Sequence, residues 1–505
     1  MKRLIVNIIC LKVLLMSFHL SLAQSVTIIG NEPDYVGQTI TFYTLDNFII
    51  ESAVKTGECT VAASGDFSVS LPVGDVRMIF TNLGVFNVSF YVEPGFTYEV
   101  KLPPRIEKSP EDMENPLFEE AKVSMMLLSV KDDKGEVIAP HEELNNKIRG
   151  FYQVFNQYTD NLIIDAYFGR PFARLDSIIA SFMKTLPQTG KKFFDNYAYY
   201  RSGMLYFAAQ RNEVKRISDE YFVNKPVQRY NHAYMELFNA TFDKYFMYAG
   251  RNNDDIFNVI NIHGSFIRLK RLLERNGAFP NDTLCELVIL KNIHDEFYAD
   301  RFTRAALLNM LDSAVVYTQI ERHSEIAVEI RNKLTRLLRG YTPPDFALYK
   351  HDTTLVSLQD YKNKYVYLMF CNTYSNTCIS QYRILEDIYN IHHKWLDIVV
   401  VSTDENFSDM TDFRQKNGYL WDFLHLGAEP EVIKNYDVRL FPTAYLIDPE
   451  GKMAISPAPV PMSTYLPEDF DEGEASFLER KLWEELNSKG LWYEYLRREL
   501  INLKQ

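Results

Sequence analysis

Cysteine is scarce in this chain, with five in 505 residues. That density excludes a fold built on disulfides, the usual device of small secreted domains. No two cysteines stand in CxxC or zinc-ligand spacing, and no HExxH motif occurs. No metal and no other cofactor is therefore expected. Beyond the first 23 residues no apolar run reaches the roughly 18 residues that a spanning helix takes, so no membrane insertion is expected. Basic clusters are also missing. Asp and Glu number 67 against 54 Lys and Arg, a net charge of −13. An acidic surface of this kind argues against nucleic acid or an anionic membrane as a partner.

What is present reads as a multidomain globular protein. Hydrophobic residues make up 47% and charged residues 24%, a folded rather than disordered composition. The length exceeds what one core holds, so two to four domains are expected. Aromatics reach 14%, which is read as material for large aromatic cores. Residues 1–23 read as a secretory signal: Lys2 and Arg3 open it, Leu4 to Leu15 is its apolar stretch, and Ser21-Leu22-Ala23 ends it. Cleavage near Ala23 sends the mature chain to the periplasm with a net charge of −16, since Lys2, Arg3 and Lys12 leave with the signal. Four cysteines then remain, Cys59, Cys285, Cys371 and Cys378, in a compartment where thiols pair or react.

The hydrophobic period changes twice along the chain. Residues 24–105 alternate polar and apolar, as in "QTITFYTL" and "GDFSVSLPVG", with Gly, Asn, Asp or Pro between the runs. This pattern predicts a small antiparallel β-sandwich. The Pro-rich, charged stretch 101–116 reads as a linker. Residues 117–339 carry apolar positions at i, i+3, i+4 and i+7, as in "YNHAYMELFNATFDKYFMY", and predict an all-α block of roughly 8 to 10 helices. From Gly340 to about residue 455 strands alternate with helices, which implies βαβ connections and a sheet covered on both faces. An acidic, Pro-rich stretch follows, and residues 456–505 end in two amphipathic helical patterns at 475–488 and 491–503. Cys59 and Cys285 lie in other regions and read as structural. The pair His392-His393, at the end of the helix after the site loop, reads as a charge complement to that helix's C-terminus.

The chemistry lies in "FCNTYSNTC", residues 370–378, between an apolar run and a helical pattern. The order "PPDFAL", "VSLQDYKNKYVYLMF", loop and helix, "DIVVVSTD", then "FPTAYLIDPEGKM" resembles a thioredoxin-fold domain. It is most similar to the exported TlpA/ResA-like thiol–disulfide oxidoreductases and the related AhpC/TSA group. The resemblance covers about residues 340–455, and the overall expectation is a multidomain α+β chain with this α/β domain towards its C-terminus. The family loop reads F-W-A-x-W-C-x-x-C. Phe370 matches its Phe, Cys371 its first Trp, Tyr374 its second aromatic, Ser375 its first cysteine and Cys378 its second. Phe441-Pro442-Thr443 matches the family's cis-proline loop, and Met369 stands where related oxidoreductases often place a buried acid.

Exchange chemistry needs a thiolate, which a helix N-terminus favours through its unpaired N–H groups and macrodipole. The hydroxyl of Ser375 cannot ionise usefully there or form a disulfide. Serine is instead a natural N-cap, expected to satisfy a backbone N–H of the following helix. For Cys378 three readings stand. It is an inert buried thiol; or a peroxidase cysteine in a P-x-x-x-T-x-x-C variant, with Cys371 at the proline position and Arg439 three residues from the expected arginine; or the partner of Cys371 in a disulfide. The leading function is recognition or a structural role in the cell envelope, with an extended peptide of an exported protein held along Tyr374, Phe441, Pro442 and Thr443. The alternative is thiol–disulfide or peroxide chemistry by Cys371 and Cys378 in cell redox homeostasis.

Overall fold

The computed structural model describes residues 25–461, except 110–111, 113–114, 211–212, 252–254, 276–278, 280–281, 428 and 430, and also Lys481, Leu482, Glu484 and Glu485. The expected signal peptide and, those four residues apart, the expected C-terminal helices lie outside the described residues. The chain divides into two compact units. One holds residues up to Glu107 and Glu120–Arg331; the other holds Lys108–Glu119 and the residues from Asn332 onward.

The first unit opens with strands β1 (Ser25–Asn31), β2 (Thr39–Asn47), β3 (Ser52–Thr60), β4 (Asp66–Pro72), β5 (Arg77–Leu83), β6 (Phe86–Val92) and β7 (Thr97–Lys101). Period-2 burial is plain in β4, where Phe67, Val69 and Leu71 point inward and their neighbours outward. Two further strands, β8 (Ala121–Ser124) and β9 (Met126–Lys131), occupy a stretch expected to be helical. They complete two sheets, ordered β4-β1-β7-β9 and β3-β2-β5-β6-β8. The sandwich is not purely antiparallel: β1 runs parallel to β7 and β6 parallel to β8. The return of the chain after residue 120 causes the second of these, because β8 lands on the free edge of β6. Met125, buried between the two strands, marks where the chain switches sheets. Val26, Ile28, Phe42, Ile79, Val88 and Tyr98 lie in the core between them.

Twelve α-helices follow among the described residues: α1 (Leu144–Tyr167), α2 (Phe172–Met183), α3 (Lys192–Ser202), α4 (Met204–Ala208), α5 (Val214–Tyr221), α6 (His232–Thr241), α7 (Tyr245–Gly250), α8 (Asp255–Asn258), α9 (Phe266–Arg275), α10 (Asp282–Asp295), α11 (Arg304–Tyr317) and α12 (Glu321–Thr335). The excess over the expected 8 to 10 comes from α4, α7 and α8, of 5, 6 and 4 residues. Pieces so short show no apolar period. Helix α10 is buried on every side from Leu284 to Ile293, so its polar side chains must find partners inside. Asn292 donates Nδ2 to the Phe242 carbonyl at 3.0 Å and accepts from the Phe246 N–H at 3.1 Å. Glu286 accepts from Lys270 Nζ at 2.9 Å, Thr318 Oγ1 at 2.6 Å and His323 Nδ1 at 2.8 Å. One carboxylate thus joins α9, α10, the turn after α11 and α12, with His323 as its buried partner.

The second unit contains β10 (Ala347–Lys350), β11 (Leu355–Ser357), β12 (Tyr365–Cys371), α13 (Asn376–His392), β13 (Leu396–Ser402), α14 (Phe407–Asn417), β14 (Asp422–His425), α15 (Glu431–Asn435), β15 (Thr443–Ile447) and β16 (Met453–Ala458). They form one sheet ordered β11-β10-β14-β13-β12-β15-β16. Strands β12, β13 and β14 are parallel, and β15 joins β12 antiparallel. Every residue of β12 is buried, as its unbroken apolar run requires of a central strand covered on both faces. Its odd positions, Tyr365, Tyr367, Met369 and Cys371, pack with Tyr382, Leu385 and Ile388 of α13. Its even positions, Val366, Leu368 and Phe370, pack on the other face with Phe346, Val432 and Tyr436. Each such apolar side chain contributes about 1.5–3 kcal/mol on leaving water. His392, read from the sequence as a charge complement to the C-terminus of α13, is buried edge-on against the Trp395 ring, with centroids 4.9 Å apart.

The Glu286 cluster yields a pH test. Burial pushes the Glu286 carboxyl up, but hydrogen bonds from His323, Lys270 and Thr318 outweigh it and bring the pKa from 4.5 down to about 2. A depressed carboxyl stabilises the fold fully above its unfolded pKa and loses that contribution as pH falls through the folded one. Urea denaturation should show stability lost between pH 4.5 and about 2 that Glu286→Gln does not lose. Glu286→Ala, which leaves buried His323 without its carboxylate and takes one partner from Lys270, should cost about 3–5 kcal/mol at neutral pH.

Candidate functional site

The site forms where β12 leaves the sheet. Odd positions of β12 face α13, so the side chain of Cys371 necessarily points at the start of that helix. Cys371 and Cys378 are joined in a disulfide with Cα atoms 5.7 Å apart, inside the range such bonds require. Neither residue has exposed surface, at 0% each. The bond closes an eight-residue loop, worth about 2.5 kcal/mol on the loop-entropy relation.

The loop is tied down by more than sulfur. The Asn372 side-chain oxygen accepts the Ser375 N–H at 2.8 Å, and its backbone carbonyl accepts Tyr382 Oη at 2.9 Å. Burial, then the charge of Asp404, pushes the Tyr382 hydroxyl well above its usual value, so it stays a donor. Thr373 donates both its N–H, at 3.1 Å, and its hydroxyl, at 2.8 Å, to Asp404 Oδ1. Ser402, at the end of β13, donates to Asp404 Oδ2. His425, at the end of β14, donates Nε2–H to the Asp404 carbonyl at 2.9 Å. In register, Cys371 lies beside Ser402 and Ser402 beside His425. The site thus lies at the carboxyl ends of three parallel strands, where open α/β sheets bind ligands.

Ser375 is the N-cap of α13 by position, its carbonyl accepting the N–H groups of Cys378 at 3.1 Å and Ile379 at 2.9 Å. Its side chain makes no capping bond. The hydroxyl meets Thr377 Oγ1 at 2.6 Å instead, so the expected side-chain cap is replaced by a hydroxyl pair. Ser375 is part-exposed and Tyr374 is exposed, whereas Cys371 and Cys378 are sealed. The Phe441–Pro442 peptide is cis. Thr443 pairs with Phe370 in register, which sets the proline loop beside the end of β12. Phe441, Pro442 and Thr443 are each part-buried, Leu440 is 61% exposed, and Thr443 Oγ1 donates to the Leu440 carbonyl at 2.7 Å. The fold thereby gathers Tyr374, Ser375, Cys378, Cys371 and the 441–443 loop at one end of the sheet.

A peroxidase site needs a free thiol beside an arginine. Cys378 is bonded to Cys371, and Arg439 is exposed and paired with Asp437 at 3.0 Å. Cys59 and Cys285 are free, and burial raises both thiols. Among the described residues no cluster of His, Cys, Asp or Glu could hold a metal ion. Sequence reading missed Asn372, Tyr382, Asp404 and His425. The available signal for Asp404 was its place just past the apolar run "DIVVVS", where side chains from a parallel strand reach the site.

Two substitutions separate what holds the loop. Ser375→Ala should change stability by less than about 0.5 kcal/mol, because no capping bond is lost. Tyr382→Phe should cost about 1–3 kcal/mol, because it strands the buried Asn372 carbonyl. Urea denaturation of the two variants checks both values, and equal effects would contradict this assignment.

The comparisons with known proteins concern this region. The AhpC/TSA family model matches residues 340–456. The thiol-disulfide oxidoreductase ResA of Geobacillus thermodenitrificans is 27% identical over 151 residues, covering 30% of this chain and 82% of the relative. The ResA of Bacillus subtilis is 29% identical over 115 residues, covering 23% of this chain and 64% of that protein. The crystal structure of the thioredoxin domain of a thiol-disulfide oxidoreductase from Bacteroides vulgatus is 29% identical, covering 23% of this chain and 86% of its own, with a TM-score of 0.23. With the sheet order and the proline loop already described, the family match and these relatives make residues 340–456 a TlpA/ResA-like domain of thioredoxin fold.

Proposed function

We propose that this domain is a recognition module with a degenerate exchange site, acting on an extended peptide segment of another exported protein in the cell envelope. One observation carries the reading. The part-exposed position at the start of α13 is the hydroxyl of Ser375, while both nearby sulfurs are fully buried and bonded to each other. An attacking thiol must reach its target, and here the accessible group cannot attack. The proline loop remains available. Exposed Leu440 and Tyr374, with part-buried Phe441, Pro442 and Thr443, offer a surface along which an extended main chain could pair. Export rests on the charged and apolar pattern of residues 1–23. Among the described residues no helix is long and apolar enough to cross a membrane.

A second reading is favoured by the disulfide itself and by the relatives' name. Cys371 and Cys378 would then exchange with a partner's thiols, with Ser375 only shaping the entrance.

Screening the oxidised full chain against arrayed cysteine-free 12-residue peptides separates the two. Recognition predicts binders whose affinity falls about tenfold in Leu440→Ala and in Tyr374→Ala, with no catalysed reduction of insulin. Insulin reduction that Cys378→Ser abolishes would overturn it in favour of the enzyme. The absence of any peptide binder would also count against it.

A further inference from the structure

The loop that fronts the proposed groove is closed by a bond that electrons can break. We propose that the Cys371–Cys378 disulfide is a redox-operated fastener: a dithiol that reduces it frees residues 372–377 and weakens peptide binding beside Pro442. The binding half of this statement rests on the recognition reading above; the loop half does not.

Bonded sulfurs sit about 2.0 Å apart, whereas non-bonded heavy atoms stand about 3.5–4.0 Å apart. On reduction the two sulfurs must part by more than an ångström. Both lie at 0% exposure in a packed core, which offers no slack. Something around them has to yield, and the strand is not free to do so. β12 is paired along its whole length with β13 and from Val366 to Phe370 with β15. The body of α13 is held by Tyr382, Leu385 and Ile388, all buried. What remains is the loop 372–377 with the first turn of α13, and that loop carries Tyr374 and Ser375.

The loop also holds polar groups that gain from opening. Asn372 Nδ2 and Thr403 Oγ1 are buried and have no hydrogen-bond partner among the described residues. Their residues follow the paired ends of β12 and β13, where the Thr403 N–H donates to the Cys371 carbonyl at 3.0 Å. A buried donor without a partner is a standing cost that hydration removes. The covalent bond holds these groups out of water, and cutting it lets them hydrate.

The same contacts give the exchange a direction. The Asn372 N–H donates to Cys378 Sγ at 3.3 Å, and Cys378 lies in the first turn of α13, where unpaired N–H groups favour negative charge. Cys378 is therefore the better leaving group. Once a transient opening of loop 372–377 admits it, a thiolate of the dithiol attacks Cys371 Sγ, the Cys371–Cys378 bond breaks, and its electron pair stays on Cys378 Sγ. The second thiol of the reductant then attacks the sulfur bonded to Cys371. The reductant leaves as its own disulfide, Cys371 is released, and the two protein thiols take up the two protons that the dithiol gave.

Hydrogen–deuterium exchange of the full chain, oxidised and then treated with dithiothreitol under native conditions, tests this. Mass spectrometry confirms the redox state, and alkylation of the reduced protein traps the more reactive thiol. The expected result is at least tenfold faster exchange in 372–380, little change in β12 or in 382–392, and alkylation at Cys378 first. Any 12-residue binder found on the array should bind at least fivefold more weakly after reduction, and Cys371→Ser/Cys378→Ser should match the reduced state without reductant. A disulfide that resists dithiothreitol until the chain unfolds, or exchange in 372–380 unchanged after confirmed reduction, would overturn the fastener. Faster exchange with no peptide bound in either state would sustain the fastener and defeat the recognition reading.

Discussion

Strand β12 must be buried on both faces, and the C-terminal domain follows from that constraint. A central strand can lose all its backbone polarity only by pairing on both edges, which β13 and β15 provide. It can bury seven consecutive side chains only if layers cover the sheet above and below, which α13 and α15 help to do. Alternation along the strand then assigns each residue a face. Cys371 falls on the α13 face with Tyr367 and Met369, and so meets Cys378 at the helix start. The disulfide is thus a consequence of strand parity.

The site around that bond is polar and almost fully paired. Asp404 collects Thr373 and Ser402 on its carboxylate and His425 on its carbonyl, joining the ends of β12, β13 and β14. Tyr382 reaches back from α13 to the Asn372 carbonyl. A network of this kind positions a loop while carrying no reactive group of its own. That fits a domain whose accessible position is a serine, and it leaves the buried disulfide as the chemical variable. The helical block follows the same economy elsewhere: α10 could be sunk in the core only because Glu286 and Asn292 have partners on neighbouring elements.

Legibility followed the range of the interactions involved. The strand β12, the helix α13 and the proline loop were readable because each rests on local pattern: an apolar run, a 3.6 period, an X-Pro dipeptide in a known motif order. The strands β8 and β9 were not, because "AKVSMMLLSVK" lacks a clean period of either kind and its partners, β6 and β7, come earlier in the chain. The parallel pairing of β1 with β7 escaped for the same reason. Ser375 was placed correctly at the helix start, but its hydroxyl turned to Thr377, a choice between two neighbours that propensity does not decide. His392 read as a charge complement to the end of its helix, because its packing partner Trp395 lies beyond the helical pattern; the structure buries it against that ring.

By itself the sequence determined that no CxxC pair, no zinc-ligand spacing and no long apolar run after residue 23 exist. It also determined that serine, Ser375, stands three residues before Cys378 at the start of a helical pattern. These are properties of residue identity and short-range order, which no folding can alter. The tertiary structure alone decided that Cys371 and Cys378 are bonded, that both are sealed from solvent, and that Asp404 and Tyr382 hold the loop between them. Those outcomes depend on which strand lies beside which and which face of it meets the helix, and such pairings are set by the burial of residues far apart in the chain.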